Sequence, residues 1–116
     1  MNNLEEEFNE AMLRRYTEEI PRAIHYRPSR VIDMLLEHRA LETVRRLKEQ
    51  YPNHNSQGYE ELWLRDRLDL SLEFLMLDEK YTTLFTEEEL KWARKGLDDY
   101  GYPVPKKVAR SKRPRH

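Results

Sequence analysis

LWLRDRLDLSLEFLMLDEKYTTLF, residues 62–85, is the densest apolar run in a chain that is otherwise 37% charged. Leu62, Trp63 and Leu64 close a short helix that begins near Gln57 or Gly58, and Arg65, Asp66 and Arg67 turn the chain. Leu68, Leu70 and Leu72 alternate with polar residues, which is a strand signal. From Leu70 onward, Phe74 and Leu77 fall at helical spacing, and so do Leu72, Leu75 and Met76. Helix is preferred, because no β-branched residue occurs between Leu62 and Lys80 and no tight hairpin turn adjoins the run. Asp69 is the expected N-cap, with Glu73 in the first turn. A helix apolar on nearly every side belongs inside a bundle. At about ten residues, Leu70–Leu77 and its flanks are too short to cross a bilayer.

The flanking sequence is also helical in character. Glu5, Glu6 and Glu7 follow the candidate cap Asn3, and Leu4, Phe8, Met12, Tyr16 and Ile20 make one stripe. That stripe is expected to pack in the core; docking on a partner is the competing reading. Pro21 either kinks this helix or restarts it. Ser29 is the expected cap of a second helix with Val31, Ile32, Leu35 and Leu36 inward. The pattern slips in phase at His38-Arg39 before Leu41, Val44 and Leu47. Residues 52–58 read as a loop. Thr86 with Glu89 is a capping box, so a last helix starts at Glu87, with Leu90, Ala93 and Leu97 inward and Trp92 and Tyr100 flanking; Gly101 is placed to end it. The expectation is an all-α, compact bundle of about five short helices over residues 1–102, followed by a disordered basic tail, 103–116.

The 116 residues carry a net charge of −1, which conceals a split. The tail holds Lys106, Lys107, Arg110, Lys112, Arg113 and Arg115 and no acid, which leaves 15 basic and 22 acidic residues before it, a net of −7. Such a tail either folds back on the acidic body or offers itself to a polyanion. The chain has no cysteine, so disulfide frameworks and thiolate zinc sites are excluded. That, with the lack of a secretory pattern at the start, points to the cytoplasm.

Residues 24–102 resemble a small, uncharacterised bacterial helical domain. The residues that carry the likeness are Tyr59, Leu62-Trp63, Arg67-Leu68-Asp69-Leu70-Ser71-Leu72-Glu73, Leu84-Phe85-Thr86-Glu87-Glu88-Glu89 and Tyr100-Gly101-Tyr102, with Tyr26-Arg27-Pro28-Ser29 and Met34-Leu35 upstream. Domains of this kind stand alone or beside nucleases and ATPases in defence and mobile-element settings. His38-Arg39 departs from the pattern, which has glycines there. The resemblance brings no catalytic residues.

Candidate chemistry is sparse. His25, His38, His54 and His116 lie far apart in sequence and read as surface or loop histidines, so no metal or other cofactor is expected. Asp66, Asp69 and Glu73 are the candidates for acid–base work, but a cap plus an ion pair to Arg65 or Arg67 is the preferred reading. No nucleophile motif or phosphate loop occurs. For nucleic acid, the candidates are the six tail cations together with Arg14, Arg15, Arg27 and Arg30, with Arg22 close by. Arg45, Arg46 and Lys48 form a second group, and Tyr16 and Tyr26 are candidates for stacking on bases. Pairs such as Glu42 with Arg46 and Glu18 with Arg22 would absorb some of that charge. The expected function is therefore a non-enzymatic interaction or adaptor module with a protein partner. Nucleic-acid binding through the tail and arginines is the alternative.

Overall fold

The computed structural model describes residues 3–102; the tail, its expected disorder and its six cations lie outside them. Among the described residues the chain forms five helical rods and no strand. The first rod is α1 (Asn3–Arg14), a π-helical turn (Arg15–Glu19) and α2 (Ile20–Ile24) in unbroken succession. Phe8, Met12, Tyr16, Ile20 and Ile24 are all buried, at intervals of four. A four-residue repeat on an α-helix drifts about 40° around the axis per step. The π turn, where the Ile20 N–H reaches back to the Arg15 carbonyl, unwinds the rod and takes up part of that drift. Pro21 follows it in the first turn of α2, where its missing N–H does least harm. Thus Pro21 restarts the helix, and the stripe packs in the core.

α3 (Ser29–Gln50) is interrupted at the predicted phase slip. Arg39 leaves helical geometry at φ 66° and ψ 175°, a conformation that favours glycine. The released Ala40 N–H is buried, and the Asn9 side-chain oxygen on α1 accepts it at 2.8 Å. Arg39 itself reaches Glu6. Ser29 does not act as the cap: it is the first helical residue, behind Pro28, and no side-chain cap bond is made.

Ser56 caps α4 (Gln57–Leu64). The helix closes with Asp66 at φ 58° and the Arg67 N–H on the Leu62 carbonyl, a left-handed C-terminal motif. The expected interior helix Leu70–Leu77 is interior but not one helix. A 3-10 turn (Leu68–Leu70) leads to extended Ser71, which caps the short α5 (Leu72–Met76). Ser71 Oγ accepts from the Phe74 N–H at 3.1 Å and donates to the Leu68 carbonyl at 2.7 Å. Asp69 is drawn away from capping by Arg67, which holds both of its oxygens at 2.9 and 3.1 Å. A second 3-10 turn (Thr82–Leu84) precedes α6 (Glu87–Asp99), whose Thr86–Glu89 capping box is complete. Gly101, at φ 73°, ends it. Phe8 joins the two halves of the chain, edge-on to Tyr81 and Phe85.

Candidate functional site

The loop between α3 and α4 turns inward at His54. Its backbone is left-handed at φ 57°, which drives the imidazole into the interior until 1% is exposed. Nε2 lies 2.7 Å from the Trp92 carbonyl on α6, and Nδ1 lies 2.8 Å from Glu73 Oε2 on α5. The ring stacks on Trp92 with centroids 4.3 Å apart, and Tyr59 closes the other side at 5.1 Å. Gly96 makes this approach possible, because a Cβ there would fall 2.7 Å from the imidazole.

Donor and acceptor roles follow from the partners. A carbonyl only accepts, so Nε2 carries hydrogen and donates to Trp92. The remaining contact holds one proton. Either a doubly protonated imidazole faces an ionised Glu73, or a neutral imidazole accepts from the Glu73 carboxylic acid. Both states are net neutral, which is how two titratable groups share an interior without an unpaired charge.

Tyrosines enclose the pair. The Tyr16 hydroxyl accepts the Leu72 N–H at 2.8 Å, so α1 and α5 meet at the start of α5. Burial, then the nearby Glu73 carboxylate, pushes the Tyr16 and Tyr59 hydroxyls well above the ordinary tyrosine range. Trp92 sends its indole N–H to the Tyr51 carbonyl, and the Tyr100 hydroxyl donates to the His54 carbonyl at 2.8 Å. The adjoining cavity is about 30 Å³. Ligand pockets run to about 300–1,000 Å³. A space this small takes about one water. The cluster fastens the 52–56 loop to α5 and α6.

The candidate carboxylates are dispersed. Asp69 pairs with Arg67 and accepts from the Tyr102 hydroxyl at 3.3 Å. Burial would raise the Asp69 carboxyl, but the Arg67 hydrogen bonds and charge hold it below the usual carboxylate range. Asp66 is exposed, and Glu73 belongs to His54. His54, read from sequence as a surface or loop histidine, does lie in a loop, but it is buried rather than on the surface. Among the described residues no group of three or more histidines and carboxylates could hold a metal ion.

The arginines divide too. Arg15 contacts Glu19 at 2.6 Å and the Asp69 carbonyl at 3.3 Å; Arg30 bonds Gln50 and lies over Tyr51. Arg46 pairs with Glu42, and Arg45 with Glu89. Arg14, Arg22 and Arg27 are exposed with no carboxylate at ion-pair distance among the described residues, so the Glu18–Arg22 pair does not form. Tyr16, a candidate for stacking on bases, is buried and corrected to a core residue; Tyr26 is half-buried.

The surface holds a second aromatic group. Trp63 and Leu64, consecutive at the end of α4, are 45% and 66% exposed. Trp63 packs edge-on against Tyr100 with centroids 5.3 Å apart, and its indole N–H donates to the Tyr100 carbonyl at 3.1 Å. Glu60 and Asp99 act electrostatically on Tyr100, and Asp66 and Asp69 on Tyr102. This end of the molecule is an apolar pair in acidic surroundings. Neither its exposure nor the burial of His54 had a signal in the sequence beyond a histidine in a polar loop and a Leu-Trp-Leu at a helix end.

No family model matches the chain, and no curated protein or solved structure matches it.

Proposed function

We propose that the chain is a non-enzymatic interaction module that docks a protein partner through Trp63 and Leu64. The observation that carries this reading is the exposure of that pair on a fixed framework. Isolated exposed leucines are ordinary. A half-exposed tryptophan, held by its own N–H bond beside an exposed leucine, has the composition of an interface anchor. The acidic residues around it favour a partner with an apolar pocket and a basic rim. The tight packing around His54 and Glu73 supports a binding role over a catalytic one. The likeness to domains beside nucleases and ATPases suggests that the partner is part of a cytoplasmic defence or mobile-element assembly.

A pull-down from the native host tests this, using the full chain and its Leu64→Glu variant. The expected result is a stoichiometric protein recovered by the first and lost by the second, with equal thermal stability. Recovery of free protein alone, or of the same proteins by both, refutes it.

A second reading is nucleic-acid binding, favoured by Arg14 and Arg27, exposed and without a carboxylate at ion-pair distance among the described residues, together with the tail cations. If all six tail cations meet phosphates of a single strand, log affinity falls against log salt with a slope of about −4. Replacing them with glutamine should flatten that slope. Absence of binding at low salt removes this reading.

A further inference from the structure

We infer that two copies of this chain pair by exchanging residues 3–38, with Arg39 as the hinge. The pairing does not depend on the Trp63–Leu64 surface. Arg30, in the first turn of α3, bonds Gln50 in the last and lies over the Tyr51 ring. A straight helix would hold Arg30 and Gln50 about 30 Å apart. α3 is therefore bent back on itself, as two helical arms, 29–38 and 40–50, that meet at Arg39.

That one residue carries the strain of the corner. At φ 66° and ψ 175°, Arg39 occupies a region that is nearly glycine's alone. Arginine is otherwise a good helix former. With Arg39 helical, the arms would run on as one rod and the strain would disappear. The Ala40 N–H would then take the Leu36 carbonyl in place of Asn9 Oδ1. Such a rod carries residues 3–38 away from the rest of their own chain, so their contacts are made with a second copy. Phe8 of one copy would meet Tyr81 and Phe85 of the other, and the Tyr16 hydroxyl of one would accept the Leu72 N–H of the other. Exchange keeps these contacts and alters the corner, and a short hinge under strain favours it. Trp63 and its partner Tyr100 both lie within residues 40–102, so the exchanged pair would present that face twice.

Arg39→Gly and Arg39→Ala both delete the ion pair to Glu6, so comparing them isolates the backbone. Glycine relaxes the corner; alanine keeps it strained and favours the continuous helix. Each dimer has two hinges, so the dimerisation constant from analytical ultracentrifugation should be at least about 30-fold greater for Arg39→Ala. Exchange itself is read by cross-linking, since the chain has no cysteine of its own. Arg30→Cys chains and Gln50→Cys chains, refolded together at millimolar concentration with Arg39 intact, should be joined one to one by a short bismaleimide. The mixed product should increase with Arg39→Ala in both chains and fall with Arg39→Gly. Absence of the mixed product from chains with Arg39 intact overturns the inference. So does cross-linking only between like chains, or equal dimerisation of the alanine and glycine variants.

Discussion

The two tryptophans make similar bonds to opposite effect. Trp92 and Trp63 each donate an indole N–H to a backbone carbonyl at 3.1 Å, and each stacks on or abuts another ring. Trp92 is 6% exposed, Trp63 is 45% exposed. Around Trp92, both His54 nitrogens and the indole N–H find partners in the interior, and the result is a fastening. Around Trp63, the same type of bond fixes an aromatic ring where solvent meets it, and the result is a presented surface. Tyr100 serves both, with its hydroxyl on the His54 carbonyl and its own carbonyl on Trp63. The difference sets a buried ring on α6 against an exposed one on α4, with Tyr100 bonded to both regions.

The largest effect should come from breaking the interior fastening. Glu73→Leu leaves His54 without its partner inside the core. Loss of one member of a buried pair costs about 3–5 kcal/mol, measurable by urea unfolding at pH 7. A loss below about 1 kcal/mol would mean that the pair is replaceable packing. Gly96→Ala comes next. Its methyl group meets an imidazole held at both nitrogens and stacked on Trp92, so the ring cannot swing aside. Overpacking costs about 1–3 kcal/mol, and the helix preference of alanine over glycine returns up to about 1 kcal/mol, so a net loss of roughly 1–2 kcal/mol is expected.

Alkaline pH probes the same region without mutation. Tyr16 and Tyr59 hold their protons more tightly folded than unfolded. The unfolded tyrosines ionise near pH 10, so this contribution is intact below about pH 10 and is lost as pH rises above it. Each contributes up to about 1.4 kcal/mol per pH unit in that window. Tyr59→Phe should remove one such increment from the slope of stability between pH 10 and 11. An unchanged slope would mean that Tyr59 ionises as freely inside as out. Tyr100→Phe tests the bridge: it deletes the bond to the His54 carbonyl for about 1 kcal/mol and should leave Trp63 held, because that bond uses the Tyr100 backbone. A shifted Trp63 indole resonance would show that the two regions are coupled more tightly than their bonds imply.

What sequence conveyed was mostly local. The Thr86–Glu89 box, the end at Gly101 and the phase slip at Arg39 are legible because cause and effect lie within a turn of each other. The interior character of Leu68–Met76 was legible from its apolar density, but its division was not. Ser71 and Asp69 are both good caps, and the choice depended on Arg67 taking Asp69. Asn9 is a polar residue on an exposed-looking helix position until the kink at Arg39 supplies an amide 31 residues away. His54 is the extreme case. Its partners are 19 and 38 residues distant, and the space it fills exists because residue 96 has no side chain. The site is set by tertiary contacts, so periodicity carries no trace of it.

The smallest stability change should carry the largest functional one. Leu64→Glu alters a side chain that is 66% exposed and sits at a helix end. Surface substitutions of this kind stay within about 0.5 kcal/mol, so the unfolding midpoint should match that of the parent chain. The added carboxylate also falls on the same helix as Glu60 and just before Asp66, which disfavours an apolar occupant. A protein partner that needs the apolar pair should therefore be lost. If Leu64→Glu instead destabilises the fold by as much as Tyr100→Phe, Leu64 is part of the structural framework, and the division drawn between the two tryptophans fails at its exposed end.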